Sequence, residues 1–329
     1  MQDFKYFRKI ISKNILFMMI LVLLLVGISD RIVNLMIAND SYVSYRNKSI
    51  FRILREKENS VDVIVLGDSL SMSSISPMIW WNDYGMTGYV CGQTGQRMQE
   101  AFHMLQAAYE TQNPRLVILE TNMVFRCKNL SSEIKDCLGE IGYRYIPIFQ
   151  GHDIWKSVLS GKQYSAENYK GFAFRGKIAP YEQGEYMQKT EQKEEISKIV
   201  SFYMEKIRKL CEKNGTKLLL VSTPSPINCN YARHNSIEAY AREKGLDFLD
   251  LNMKTKEIGI DWKTDSLDGG DHLNCSGADK VTRYLEDYMN VNYFLPDHRG
   301  ENAYCAWDEE YELYERKAAQ ELKAIREAE

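Results

Sequence analysis

Short apolar runs recur along the chain and predict the strands of a sheet that is buried on both faces. The clearest run covers residues 61–66, is rich in β-branched side chains and stops at Gly67. Similar runs follow at residues 88–91, 114–119, 217–222 and 248–251.

The stretches between these runs have helical spacing. In the one after residue 97, apolar side chains repeat at intervals of three and four, namely Met98, Ala101, Phe102, Leu105 and Ala108. Strands that alternate with helices are typical of a parallel sheet with helices on both faces. We therefore predict an α/β fold, a three-layer sandwich with a central parallel sheet.

The amino terminus combines a basic flank with a long apolar segment. Lys5, Arg8, Lys9 and Lys13 precede an uncharged stretch that ends near Ser29. A helix of roughly 20 such residues is about 30 Å long, which matches the hydrocarbon core of a bilayer. We expect a single-pass anchor in the cell membrane, with the basic flank in the cytoplasm and the remainder extracytoplasmic.

Two other interpretations of this segment stay open. The triplet Gly27-Ile28-Ser29 has the small residues of a signal-peptidase site, and a helix buried in a soluble core is the second alternative. A further apolar stretch at residues 32–37 continues the helix past that triplet, which favours an uncleaved anchor.

These patterns divide the chain into four parts. We predict a cytoplasmic tip and membrane anchor at residues 1–40, a polar stalk at 41–60, an α/β domain at 61–295 and an acidic helical tail at 296–329. An aromatic and polar insertion at about 125–193 interrupts the α/β alternation, either as a lid or as a carbohydrate-contacting surface. The tail has one apolar helical stripe, which indicates a solvated or partner-bound helix.

Composition excludes several classes of protein. The net charge of −3 gives no electrostatic reason to expect nucleic acid. The seven cysteines include no Cys-x-x-Cys pair, so we expect mostly free thiols and no zinc ribbon. No motif calls for a metal or a cofactor, and we predict neither.

The turn after the first apolar run carries the first chemical signal. Gly67-Asp68-Ser69-Leu70 follows a buried strand, so Ser69 is expected at the carboxyl edge of the sheet, where open α/β sheets bind ligands. This tetrapeptide resembles the first block of the SGNH, or GDSL, hydrolase family. Gly-Asp-Ser is also common turn chemistry, so the resemblance depends on the later blocks.

Two further segments resemble the family's second and third blocks. Gly95 lies at a strand-to-helix turn, where its N–H is expected to point into the site, although a glycine there can simply make the turn. Asn122 follows the third predicted strand, but in Glu120-Thr121-Asn122-Met123 rather than the usual Gly-x-Asn-Asp. The resemblance implies an oxyanion hole made by Ser69, Gly95 and Asn122, while Asn122 can also be a loop cap.

The segment Asp268-Gly269-Gly270-Asp271-His272 resembles the final block, Asp-x-x-His. The strict position of the aspartate is occupied by Gly269. A Gly-Gly turn allows Asp268 to curl back towards His272, so we expect Asp268 to orient the imidazole, with Asp271 as the alternative. A loop histidine with a structural role is the competing interpretation of His272.

One more histidine lies near the same predicted edge. His234 opens the helix after the fourth strand and is a candidate substrate contact, although a lone histidine there is more often structural.

The resemblance implies an SGNH-hydrolase fold of flavodoxin-like type and a serine esterase or acyltransferase. Membrane-attached extracytoplasmic proteins of this kind work beside membrane-bound acyltransferases on cell-wall or exported polysaccharides. We therefore expect an O-acyl, in particular O-acetyl, carbohydrate substrate and a multi-pass membrane acyltransferase as a candidate partner. The alternatives are a secreted lipid or small-ester esterase and a catalytically silent subunit of a polysaccharide export complex.

Overall fold

Five parallel strands form the sheet, in the spatial order β2-β1-β3-β4-β5. The computed structural model describes residues 2–43, 48–126, 130–145, 154–164 and 167–328. The strands are β1 (Val63–Gly67), β2 (Gly88–Gly92), β3 (Leu116–Glu120), β4 (Lys217–Ser222) and β5 (Asp247–Asp250). This is the order of a flavodoxin-like sheet, so the predicted three-layer α/β fold is confirmed.

Helices cover both faces of the sheet and extend beyond it at both ends of the chain. In chain order they are α1 (Gln2–Ala38), α2 (Lys48–Ile53), α3 (Ser69–Ser74), α4 (Pro77–Tyr84), α5 (Met98–Ala108), α6 (Leu130–Tyr145), α7 (Ile154–Ser160), α8 (Lys198–Lys213), α9 (Tyr231–Lys244), α10 (Thr255–Ile258), α11 (Cys275–Asn292) and α12 (Cys305–Ala328). Among the described residues, short 3₁₀ helices lie at Thr121–Phe125, Leu251–Lys254 and Asn302–Tyr304.

The central strand shows why the sheet is buried on both faces. Every residue of β1 is buried, and alternate side chains enter two separate hydrophobic clusters. Ile64 and Leu66 pack with residues of α5, α8 and α9, whereas Val63 and Val65 pack with Trp80 and residues of α11. Because neither face meets water, the strand reads as a continuous apolar run instead of an alternating one.

The amino-terminal helix α1 includes a segment that is long and apolar enough to cross a membrane. Residues Lys13–Met36 form 24 helical positions with a mean hydropathy of 2.4. Their side chains are largely exposed, as in Leu23 at 68% and Phe17 at 64%. The predicted helix is therefore present, while its insertion and orientation in a membrane remain predictions.

The predicted stalk packs on the domain over most of its described length. Phe51 and Ile53 in α2 are buried, and Phe51 forms a small cluster with Met36 at the end of α1. Two basic residues of this segment, Arg52 and Arg55, make ion pairs with Asp40, and Arg52 Nε lies 2.5 Å from Asp40 Oδ2. Residues 44–47 lie outside the described part.

The carboxyl-terminal helix α12 also packs on the domain, in contrast to the solvated or partner-bound helix that its composition suggested. Its apolar stripe is covered, with Trp307, Tyr314 and Ile325 all buried. Tyr314 packs against Phe174 of the predicted insertion, with ring centroids 5.1 Å apart. The helix thus completes the core on one side. Phe174 of the predicted insertion packs into this core.

A buried lysine joins three distant segments under this helix. Lys170 is 1% exposed, and its Nζ lies 2.8 Å from Glu56 Oε2 and 2.8 Å from Glu310 Oε2. The same ammonium lies 4.1 Å from the centroid of the Trp307 ring. Removing it would leave two carboxylates in a largely buried site without their cation, which is strongly destabilising.

We predict that Lys170→Met lowers the free energy of unfolding by about 3 kcal/mol, because the methionine keeps the apolar stem but not the charge. The control is Lys323→Met, since that side chain is 75% exposed and its 3.6 Å pair with Glu327 is solvated. We expect the control to change stability by less than about 0.5 kcal/mol. Denaturant unfolding of the detergent-solubilised chain measures both, and equal midpoints would contradict the role of Lys170.

Candidate active site

The turn that carries Ser69 is fixed by a glycine and a buried aspartate. A Cβ on Gly67 would lie 2.5 Å from the Ser71 Cβ and 2.9 Å from the Glu120 Cβ, so no larger residue fits where β1 ends. Asp68 caps the following helix α3 by accepting a hydrogen bond from Leu70 N at 2.9 Å. Ser69 is the first residue of that helix and therefore lies at the carboxyl edge of the sheet, half-buried.

The structure brings His272 to Ser69. The imidazole Nε2 lies 2.8 Å from Ser69 Oγ, and Nδ1 lies 2.8 Å from Asp268 Oδ2. With the Nδ1 proton donated to Asp268, Nε2 is the basic nitrogen and accepts the hydrogen bond from the serine hydroxyl. This alcohol, imidazole and carboxylate are arranged as in a Ser-His-Asp triad.

Asp268, not Asp271, is the carboxylate placed to orient the imidazole. Asp268 also accepts a hydrogen bond from the His272 backbone N–H at 2.7 Å, which closes the loop, and Gly269 and Gly270 between them have φ values of +74° and +93°. Asp271 Oδ1 lies 3.7 Å from Nδ1 and instead accepts a 2.5 Å hydrogen bond from Asn228 Nδ2.

Residues outside the predicted site hold the loop of His272 in place. Ser225, which follows β4, donates its hydroxyl to the carbonyl of Asp271 at 2.7 Å. Asn274 caps α11 through Ser276 N at 3.0 Å and donates to the Thr264 carbonyl at 2.6 Å. No local signal in the sequence indicated this partner of Ser225, which lies 46 residues later.

The predicted oxyanion-hole residues lie at the same edge as Ser69. Gly95 has a φ of +67° in a turn closed by a 3.0 Å bond from Gln96 N to the Gln93 carbonyl. The turn follows β2 directly, and Gln93 N donates to the carbonyl of Gly67 at 3.3 Å. A side chain at Gly95 would meet nothing within 4 Å, so the positive φ, not lack of space, favours glycine there.

Asn122 reaches the serine turn from β3. Its Nδ2 donates to Asp68 Oδ2 at 2.8 Å, which uses one of the two amide hydrogens. The same Asp68 Oδ2 also accepts a hydrogen bond from Arg126 Nε at 2.5 Å. Arg126 is a residue of the site that the sequence motifs did not reveal.

A second buried carboxyl lies beside Asp68. Glu120 accepts hydrogen bonds from Asn122 N at 3.1 and 3.2 Å and from the Thr223 hydroxyl at 3.3 Å. Burial, together with the negative charge of Asp68, raises the pKa of Glu120 well above its usual value. Both effects favour the neutral form of the Glu120 carboxyl.

His234 is not brought to the triad. Its Nδ1 lies 2.7 Å from Asp250 Oδ2, and that hydrogen bond raises the pKa of the imidazole. His234 lines a narrow cleft together with Asn122 and Phe125. Its side chain therefore lies near one predicted oxyanion-hole residue, Asn122. The candidate role of His234 as a substrate contact stays a prediction.

One group of described side chains could in principle hold a cation. The ligand atoms of Asp268, Asp271 and His272 lie within 4.8 Å of one another. Both imidazole nitrogens are, however, already hydrogen-bonded to Ser69 and Asp268. A cation bound there would have to break the Ser69–His272–Asp268 arrangement.

We predict that Glu120→Gln becomes increasingly stabilising, relative to the wild type, as pH rises from 5 to 8. Above the unfolded value of about 4.5, the unfolded chain releases the Glu120 proton that the folded state retains, so stability is lost as pH rises towards the folded pKa. Glutamine cannot lose that proton. Over this pH range, we expect the free energy of unfolding of Glu120→Gln to rise by about 1 kcal/mol or more relative to that of the wild type.

Thermal unfolding at several pH values measures this difference. The control is Glu205→Gln. The hydrogen bond from Arg208 lowers the pKa of Glu205 to about 2 in the folded protein, and its ordinary value is 4.5, so Glu205 titrates below this pH range in the folded and in the unfolded chain. Its offset from the wild type should be constant between pH 5 and 8. Parallel curves for Glu120→Gln would show that Glu120 is ionised in the folded protein.

Comparisons with known proteins give structural likenesses of low sequence identity. No protein-family model matches the chain, and no curated protein matches it. A candidate acylhydrolase from Bacteroides fragilis is 12% identical with a TM-score of 0.39, covering 75% of this chain and 95% of its own. A GDSL-like lipase from Bacteroides thetaiotaomicron is 11% identical with a TM-score of 0.36, covering 70% and 87%.

A third similar structure is a candidate platelet activating factor from Streptococcus pneumonia. It is 13% identical with a TM-score of 0.40, covering 74% of this chain and 92% of its own. Independently of these likenesses, the flavodoxin-like sheet order and the contact of Ser69 with His272 are features of this chain itself. The chain has a flavodoxin-like α/β fold, and the four motif blocks that resemble those of SGNH hydrolases lie at one edge of its sheet.

Proposed function

We propose that this chain is a serine esterase or acyltransferase that works through an acyl-serine intermediate. The observation that carries the proposal is the pair of 2.8 Å contacts that link Ser69 Oγ to His272 Nε2 and His272 Nδ1 to Asp268 Oδ2. A weak alcohol nucleophile becomes effective when a positioned base removes its proton and a third group orients that base.

The proposed reaction follows from these positions. Ser69 Oγ attacks an acyl carbonyl while His272 takes the hydroxyl proton, and Asp268 stabilises the imidazolium. The N–H groups of Ser69 and Gly95 and the remaining amide hydrogen of Asn122 receive the oxyanion. His272 then returns the proton to the departing alcohol, which leaves the acyl group on Ser69.

The second half of the reaction regenerates the enzyme. Water, or a sugar hydroxyl in a transfer reaction, gives its proton to His272 and attacks the acyl-serine. Collapse of the second tetrahedral intermediate returns the proton to Ser69 Oγ and releases the acid or the new ester. The same imidazole therefore acts as base and acid in turn. Its Nε2 exchanges the proton, while the hydrogen bond from Nδ1 to Asp268 holds the ring in place.

For the substrate, we favour O-acyl, in particular O-acetyl, groups on a cell-surface or exported polysaccharide. Support comes from the candidate membrane helix α1 and from an open edge, since Asp268 is 42% exposed. A long acyl chain needs an apolar channel. A lipid or small-ester esterase is the alternative, and the preferred length of the acyl chain distinguishes the two.

We predict that the purified chain hydrolyses a small acetyl ester and that Ser69→Ala lowers kcat/KM by at least about 10³-fold. A fluorophosphonate probe should label the wild type on Ser69 and leave the variant unlabelled. If wild type and Ser69→Ala act alike on acetyl esters and on acetylated glycans, the catalytic proposal is wrong and the silent-subunit alternative is favoured. Preference for long acyl chains would instead support a lipid esterase.

The two aspartates of the final block allow a sharper test of the geometry. Asp268→Asn should lower kcat by about 10² to 10⁴-fold, because an amide can no longer hold the proper tautomer of His272. Asp271→Asn is a matched control, since its carboxylate is 41% exposed and lies 3.7 Å from the imidazole. We expect Asp271→Asn to lose less than about tenfold, measured on the same ester; the reverse ranking would overturn the assignment.

A further inference from the structure

Arg126 lies beside the serine turn. It follows the 3₁₀ helix Thr121–Phe125, and its Nε contacts the carboxylate of Asp68, the residue before Ser69. Since neighbouring Cα atoms are about 3.8 Å apart, the guanidinium lies on the order of 10 Å from the serine hydroxyl. A charged substituent several bonds from the scissile ester of a bound substrate can span such a distance.

Among the described residues, one of the three guanidinium nitrogens of Arg126 has a hydrogen-bond partner. Nε binds Asp68 Oδ2, whereas none is described for Nη1 and Nη2. The side chain is 35% exposed, although the Asp68 side chain that it contacts is fully buried. The guanidinium is thus fixed on a buried carboxylate through Nε, and part of the side chain is accessible to solvent.

Arg233 of the same region, in contrast, uses all three of its guanidinium nitrogens. It engages Glu194 through Nε and Nη2 at 2.8 and 3.0 Å and the Asn228 carbonyl through Nη1. Arg126 differs in that its Nη1 and Nη2 have no partner among the described residues, and a pair of parallel N–H donors suits a carboxylate or a phosphate.

The contact with Asp68 fixes Arg126 in place. The Asp68 side chain is fully buried and lies beside the buried carboxyl of Glu120, so the guanidinium is held on a rigid part of the site. Its position is set by this ion pair and does not require a substrate. A preformed donor pair binds an anion with little loss of side-chain entropy.

We propose that Nη1 and Nη2 of Arg126 form an anion subsite, so that the preferred substrate is an acyl ester carrying a carboxylate or phosphate near the ester group. The inference rests on the proposed serine-esterase function and narrows it, in a polysaccharide substrate, to an acidic glycan. The subsite selects the substrate, and the chemistry still belongs to Ser69 and His272.

Three matched acetyl esters test this subsite: 4-acetoxybenzoate, 4-acetoxyphenyl phosphate and the neutral methyl 4-acetoxybenzoate. The quantity of interest is the ratio of kcat/KM for each charged ester to that for the neutral ester. Comparing this ratio between wild type and variant cancels the intrinsic reactivity of the esters. The two charged esters distinguish a carboxylate subsite from a phosphate subsite.

We expect Arg126→Gln to lower at least one of the two ratios by about tenfold, the value of one charge-assisted contact. The control Arg242→Gln removes the same charge from a side chain that is 74% exposed on α9, and it should leave both ratios unchanged. Unchanged ratios in Arg126→Gln would overturn the subsite. A wild type that hydrolyses none of the esters would instead refute the esterase function on which the subsite rests.

A second measurement covers the case in which Arg126→Gln does not fold. In the wild type, raising the salt concentration from 50 to 500 mM should lower the ratio, because added ions screen an exposed charge contact. Arg126→Lys keeps the charge without the paired donors and should give an intermediate ratio. A ratio that is independent of salt and equal in wild type and Arg126→Lys would contradict the proposal.

Discussion

The buried carboxylate of Asp68 is the interaction on which the rest of the site depends. One oxygen caps α3 by accepting a hydrogen bond from Leu70 N, and the other accepts hydrogen bonds from the side chains of Asn122 and Arg126. A buried charge is tolerated only when its oxygens are paired in this way. The same contacts that make burial of Asp68 acceptable therefore fix the helix that carries Ser69 and the loop that carries the predicted oxyanion donor.

The parts of the site that the sequence predicted are those with a local signal. A buried strand followed by Gly67 and Ser69, and a Gly-Gly turn between Asp268 and His272, determine local backbone geometry and can be recognised in isolation. The strands were predicted for the same reason, because burial on both faces produces continuous apolar runs. The sheet order then brings these separate turns to one edge.

The parts that could not be predicted depend on contacts between distant segments. Arg126 meets Asp68 across 58 positions, and Lys170 meets Glu310 across 140. Nothing in the composition near either basic residue distinguishes it from a solvated one. The acidic residues of α12 likewise suggested an exposed helix, whereas Glu310 and the apolar stripe on that helix are partners of the domain.

The two described histidines whose Nδ1 contacts an aspartate show that such a pair alone does not make a site. His234 and His272 have nearly equal Nδ1-to-carboxylate distances of 2.7 and 2.8 Å. The difference lies in topology, because β5, which ends at the partner of His234, is three strands from β1 and so about 14 Å away. The loop of His272 instead returns to the end of β1, where a serine hydroxyl meets the second nitrogen. Position in the sheet, rather than the local chemistry of the imidazole, therefore determines which histidine can act as a base for Ser69.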